Sequence, residues 1–346
     1  MRHRAPSHAT PLATLRTWTS QGRAAAVVGA LAVTLAGCGA GSAIVGIHEA
    51  PAQITTTAPI TTQSARQIAT RVMADVQRAD AAPAAQAKQL RARAMTGTAL
   101  AAANAATELG GATNAASQPL TRTEPPKVLA ISRGTSWPRV ILVQTTNADG
   151  AAVLNLLSSP DARTPFRLSA RATMHPGATV AALDSLVKGS PLVTDDSTVT
   201  PAPQDLLKGY AASLAYPKPA AAKGVDDSDP FSMSVRANAA AQAKAFGKLA
   251  TLTQTHQVQP ASTVAIGLRG GGAVVFAVME RTDTVTLRPG GKSLRPSPEF
   301  QRLVGKKALS KRAQLKTYET VVLTVSPQGT ATVVAADEAL YSAKGA

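Results

Sequence analysis

Val128-Leu-Ala-Ile131, Val140-Ile-Leu-Val143 and Val153-Leu-Asn-Leu-Leu157 are three short apolar runs in close succession. Each is four or five residues long, too short for a buried helix and right for a strand. Asn147-Ala-Asp-Gly150 separates the second run from the third, and its glycine tolerates positive φ, so the pair reads as a hairpin. A fourth run, Phe166 to Met174, lies between Pro160-Asp161 and Pro176-Gly177. Residues 127–174 therefore read as an antiparallel meander.

Upstream the apolar period changes. Residues 64–108 read as helical, with Ser64 as N-cap and Ile68, Val72, Val76 and Ala79 on one face. Pro83 marks a break or the first turn of a second helix running through Leu90, Ala94, Leu100 and Ala101, and Gly110-Gly111 ends it. Residues 111–126 read as a loop.

Downstream, Val180 to Val187 reads as a short helix or an extended segment. Asp205 to Leu214 reads as a short helix with Leu206, Leu207, Tyr210 and Leu214 on one face, and Pro217 to Gly224 as a linker. Residues 229–256 give the clearest helical signal. Asp229-Pro230 is a cap-and-first-turn pair, and Val235, Ala239, Phe246, Leu249 and Ala250 form a stripe.

Strands are expected at Thr263–Leu268, Ala273–Met279, Thr284–Leu287, Tyr318–Val325 and Thr330–Ala336. Gly270-Gly-Gly272 and Pro327-Gln-Gly329 serve as turns, and Pro289 to Lys311 is a basic insertion. Helices followed by strands thus occur twice. The fold class is α+β, with two helix-plus-antiparallel-sheet units at 64–200 and 201–346. The element order looks like a cystatin-like or NTF2-like cone in tandem.

The first residues carry a different signal. Arg2, Arg4, Arg16 and Arg23 precede an uncharged stretch, Ala24 to Leu35, which ends in Leu35-Ala-Gly-Cys38. That order resembles a bacterial lipoprotein signal. The resemblance implies that residues 1–37 are a leader and that Cys38 takes a diacylglyceryl group. The protein would then sit on the extracytoplasmic face of the cell membrane. The apolar run is shorter than the roughly 20 residues that a membrane span requires. Two acyl chains hold a protein stably where one is marginal. Residues 38–63 read as a flexible tether, interrupted by Pro51 and Pro59.

With that box in place, two runs, Asp161-Ala-Arg-Thr-Pro-Phe-Arg-Leu168 and Met174-His-Pro-Gly177, are similar to uncharacterised lipoproteins of high-GC, streptomycete-like actinobacteria. No catalytic residues follow from that resemblance.

Cys38 is the only cysteine. Disulfides and thiolate metal sites are excluded, and stability must come from packing. Aromatic residues make up 3% of the chain. The core is therefore built from Val, Leu, Ile and Ala, and the stacking platforms of nucleic-acid binders are lacking. The formal charge is +16, and without the four leader arginines it is +12. Lys292, Arg295, Arg302, Lys306, Lys307, Lys311 and Arg312 form the densest basic segment, with Glu299 the only acid between 289 and 316. Two readings stand: a contact for anionic wall polymer, lipid headgroups or an envelope protein, or a solvated loop with a short helix.

His48, His175 and His256 lack a second histidine at metal-ligand spacing, so no metal or other cofactor is expected. His175 before Pro176 reads as a turn residue. Gly-x-Ser-x-Gly is absent. Asp226-Asp-Ser-Asp229 suits calcium less well than the positive end of the helix beginning at Pro230. The expected function is a non-enzymatic binding module at the cell envelope. An envelope hydrolase with dispersed catalytic residues and a small-ligand carrier stand as rivals.

Overall fold

The computed structural model describes residues 56–108, 124–193, 199–290 and 293–346. Cys38, the leader, Gly110-Gly111 and Lys292 lie outside the described residues. The meander forms as its pattern predicts: β1 (Lys127–Ile131), β2 (Arg139–Thr146), β3 (Ala152–Ser159) and β4 (Arg167–Thr173) pair antiparallel in that order. The Asn147 side-chain oxygen accepts from the amides of Asp149 (3.1 Å) and Ala151 (2.9 Å), which shapes the β2–β3 turn. Asp161 does the same between β3 and β4, accepting from the amides of Arg163 and Thr164 at 2.8 Å each.

Before the meander stand α1 (Thr62–Ala81), α2 (Ala84–Ala94) and α3 (Gly97–Glu108). The N-cap of α1 is Thr61 rather than Ser64: the Thr61 hydroxyl accepts from the Ser64 amide at 3.1 Å. The helix expected after Pro83 is two helices, because Met95 turns extended and bridges to Leu168 of β4.

The second half contains β5 (Leu192–Val193), α4 (Pro203–Ser213), β6 (Val225–Asp226), α5 (Pro230–Phe246), β7 (Ala250–Val258) and β8 (Val264–Gly267). After these come β9 (Ala273–Leu287), α6 (Pro298–Val304), β10 (Arg312–Val325) and β11 (Ala331–Gly345). Their sheet runs β5-β8-β9-β10-β11-β6, and β7 also pairs with β9. One edge of β9 is shared: β8 covers Ala273 to Phe276, and β7 covers Met279 to Leu287.

Three expectations are corrected and a fourth is narrowed. The helix over 229–256 ends at Phe246, because Gly247 leaves it at φ +52° and residues 250–258 become β7. Of the two readings offered for Val180 to Val187, the non-helical one holds. The two strands expected at 273–279 and 284–287 are one continuous β9. Leu192-Val193, assigned by sequence to the first unit, pairs with β8 in the second sheet. At the β8–β9 turn Gly272 is required: it sits at φ +78°, and a Cβ there would lie 2.1 Å from the Val325 carbonyl oxygen.

Strand periodicity sorts the apolar residues into layers. Ile141, Val143, Leu157 and Leu168 point from the first sheet toward α1–α3. Leu142, Leu154, Leu156 and Ala172 point the other way, onto Ile266, Phe276, Val322 and Val334 of the second sheet. The far side of that sheet, with Val275, Met279, Val321 and Leu323, packs on Leu207, Tyr210 and Val235 of α4 and α5. The order is helices, sheet, sheet, helices, an α+β fold whose two sheets share a core. No helix among the described residues is long and apolar enough to cross a membrane.

Candidate functional site

The basic insertion folds into a cap on the far end of the second sheet. Ser297 starts α6, its hydroxyl accepting from the Phe300 amide at 3.3 Å. Leu294 and Leu309 exchange backbone hydrogen bonds of 2.8 and 2.9 Å and close the loop. Its base is held by the Ala346 carbonyl, which accepts from the amides of Ser310 (3.0 Å) and Lys311 (2.9 Å). Leu294, Phe300, Val304 and Leu309 turn inward onto Phe246, Leu252, Val285 and Ala313. A short helix is present, and an apolar underside anchors it to the sheet.

The cations take the outside. Arg295, Arg302, Lys306, Lys307, Lys311 and Arg312 are all exposed, and among the described residues none has an ion-pair partner. Lys306 donates to the Gly345 carbonyl at 3.1 Å and Arg312 to the Thr284 hydroxyl at 3.4 Å. Arg302, Lys306 and Lys307 line a shallow groove of about 360 Å³. Exposed Lys244 and Lys248 beside the end of α5, Arg288 beside β9 and Lys344 on β11 extend the basic surface. The structure thus brings six of the seven predicted cations to one end of the sheet.

Beneath the cap lies a cleft of about 280 Å³. Val285, Ala313 and Leu315 come from the sheet, Phe246 from α5, and Leu294, Phe300 and Leu309 from the insertion. Gln242, Arg295 and Ser297 are its polar, exposed lining. A second cavity of about 570 Å³ is bounded by Leu129, Leu154, Met174 and residues 178–183, with Lys127 and Arg269 exposed on it.

Sequence reasoning missed a belt of charge inside the same sheet. His256 Nδ1 lies 2.7 Å from Glu319 Oε2, and both side chains are fully buried. Arg281 bonds Glu319 (3.1 Å), Glu338 (2.7 Å) and Asp283 (3.1 Å). Gln254 donates to the Leu214 carbonyl at 3.0 Å, and its Nε2 lies 2.9 Å from His256 Nε2. Burial works against the Arg281 charge, but the carboxylates of Glu319, Glu338 and Asp283 outweigh it and hold the guanidinium charged. Burial pushes Asp283 up, with Arg281 opposing. The available signal was a break in alternation: Gln254, His256, Arg281, Asp283 and Glu319 occupy inward positions on their strands.

Elsewhere the singled-out residues have structural roles. Asp229 caps α5, accepting from the Ser232 amide (3.0 Å) and the Tyr210 hydroxyl (3.0 Å). His175 is in the expected turn, and its Nε2 lies 3.7 Å from Asp229; burial lowers its pKa, with Asp229 opposing. Trp137 carries the Arg139 guanidinium 4.3 Å from its ring centroid. Among the described residues no group of three or more His, Cys, Asp or Glu is placed to hold a metal. No protein family, curated protein or solved structure matches the chain, so what this end of the sheet does has to be argued from its own residues.

Proposed function

We propose that this protein is a lipid-anchored, extracytoplasmic binding module, held to the membrane through Cys38, that engages an anionic envelope polymer with the basic end of its second sheet. The carrying observation is the set of exposed cations from Arg295 to Arg312 on an ordered cap, free of ion pairs among the described residues. A charge run in a solvated loop carries its cations at no fixed spacing. Here α6, the Leu294–Leu309 pairing and the Ala346 clasp hold them in place. The His256–Glu319 pair gives a hydrolase reading little support, because it is sealed from solvent and its hydrogen bonds are already made.

The test is sedimentation of the full chain with isolated cell-wall fragments at rising salt, with fatty-acid labelling alongside. Each cation near an anionic surface contributes about 1 kcal/mol and is screened by salt. Lys306→Glu with Lys307→Glu should weaken retention at least about tenfold. Cys38→Ala should abolish labelling and membrane fractionation. Salt-independent retention, or double-variant retention equal to the parent's, would remove the electrostatic reading. Equal labelling of Cys38→Ala would remove the anchor.

A further inference from the structure

The cleft beneath the cap adds a requirement that anion binding alone leaves unused. Its floor is carbon: Val285, Phe300, Leu309 and Ala313 are buried, yet they border open space of about 280 Å³. Apolar surface left facing water is unfavourable, so an apolar occupant is favoured. Among the described residues the polar lining has one sign. Arg295 and Gln242 are exposed and make no hydrogen bond or ion pair among the described residues, whereas the Ser297 hydroxyl is engaged in capping α6. Arg302 and Lys306 of the same cap line the separate shallow groove, so Arg295 is the cation at the cleft itself. A ligand that fits has an apolar body and a negative end.

We propose that this cleft binds a single-chain anionic amphiphile, with its alkyl chain over Val285, Phe300 and Leu309 and its acidic head at Arg295. This deepens the proposed function and rests on its reading of the basic end as an anion-binding surface. The volume sits at the small end of ligand pockets, which suits one chain and leaves no room for a two-chain lipid. A cationic amphiphile would meet the Arg295 charge, and a peptide side chain of the right size would lack the acidic head.

The test is equilibrium dialysis of labelled decanoate and decyltrimethylammonium, each below micelle formation, against the full chain carrying Cys38→Ala. Gln242→Trp places an indole over the opening from an exposed helix position, so only binding lost in that variant counts as cleft binding. The expected result is one plug-sensitive decanoate site per chain, decyltrimethylammonium at least tenfold weaker, and loss of that preference in Arg295→Glu. Absence of plug-sensitive decanoate binding, or equal binding of the two amphiphiles, would overturn the proposal. Wall retention of the same Cys38→Ala chain, whose cleft is open, separates the two readings. If retention stays salt-sensitive while decanoate fails to bind, the cleft proposal alone falls. If decanoate binds while retention ignores salt, the polymer-binding reading alone falls.

Discussion

The near and far halves of β9, β10 and β11 are built on opposite principles. In the near half both faces are apolar: Phe276, Val322 and Val334 meet the first sheet, and Val275, Leu323 and Val333 meet the α4–α5 side. In the far half the inner face carries the Arg281–Glu319–His256 belt. The outer face pairs Thr251 with Thr286, Thr253 with Thr284 and Thr255 with Thr282 across β7 and β9. A one-residue slip in the near half would exchange apolar for apolar. The same slip in the far half would turn Arg281 and Glu319 outward and strip His256 of its partner. The near half supplies cohesion and the far half supplies register, so the cap and its cations are placed at a defined spot.

The sharpest way to break the contrast is to hollow out the near half. Phe276→Ala removes a fully buried ring from the core shared by the two sheets and should cost about 4 to 5 kcal/mol in chemical denaturation. Unfolding should remain one transition, because the ring belongs to both sheets. Two separated transitions would mean that the sheets are independent. Next in size is Arg281→Met, which leaves Glu319, Glu338 and Asp283 without their shared cation and should cost about 3 to 4 kcal/mol. Arg281→Met combined with Glu319→Leu should recover much of that loss while admitting a second register, visible as doubled amide resonances from β9 and β10. A single sharp set of resonances in the double variant would show that the belt is not what sets register.

How much of this was legible follows from how far apart the partners lie in the chain. The meander was, because Asn147 and Asp161 each build their turn from neighbours two to four residues away. The Asp229 cap was, for the same reason. The β7 strand was not: Phe246, Leu249 and Ala250 continue the helical spacing across Gly247, although Leu249 is in fact exposed. The better signal was the Thr251, Thr253, Thr255 alternation that follows. The charges at 280–283 argued against one long β9, because their partners Glu319 and Glu338 lie dozens of residues downstream. The predicted cations were legible as a run. The cleft beside them was not, since its walls come from α5, β9, β10 and the insertion, and no local pattern records that meeting.

The seam between the two sheets offers the smallest and most specific test. Asp337 of β11 is 5% exposed and accepts from the Thr173 hydroxyl of β4 at 3.3 Å, with Arg171 of β4 nearby and Glu338 beside it. Burial pushes its carboxyl up to about 6, although the Thr173 bond and the Arg171 charge oppose the rise. An unfolded Asp titrates near 3.8, so the folded protein holds this proton more tightly than the unfolded chain does. The group's contribution therefore falls as pH rises from about 4 to about 6 and stays unfavourable above, by up to about 3 kcal/mol. Asp337→Asn removes the ionisation and keeps an acceptor for Thr173. It also takes one carboxylate from Arg171, which retains Asp80 at 3.9 Å, so the net gain should be about 2 to 3 kcal/mol at pH 7.5. The stability difference between variant and parent should shrink toward zero near pH 4, read as paired denaturation midpoints across that range. A difference that stays flat with pH would mean that Asp337 is already ionised at no cost, with Arg171 as its true partner. The seam would then be an ion pair instead of a buried acid.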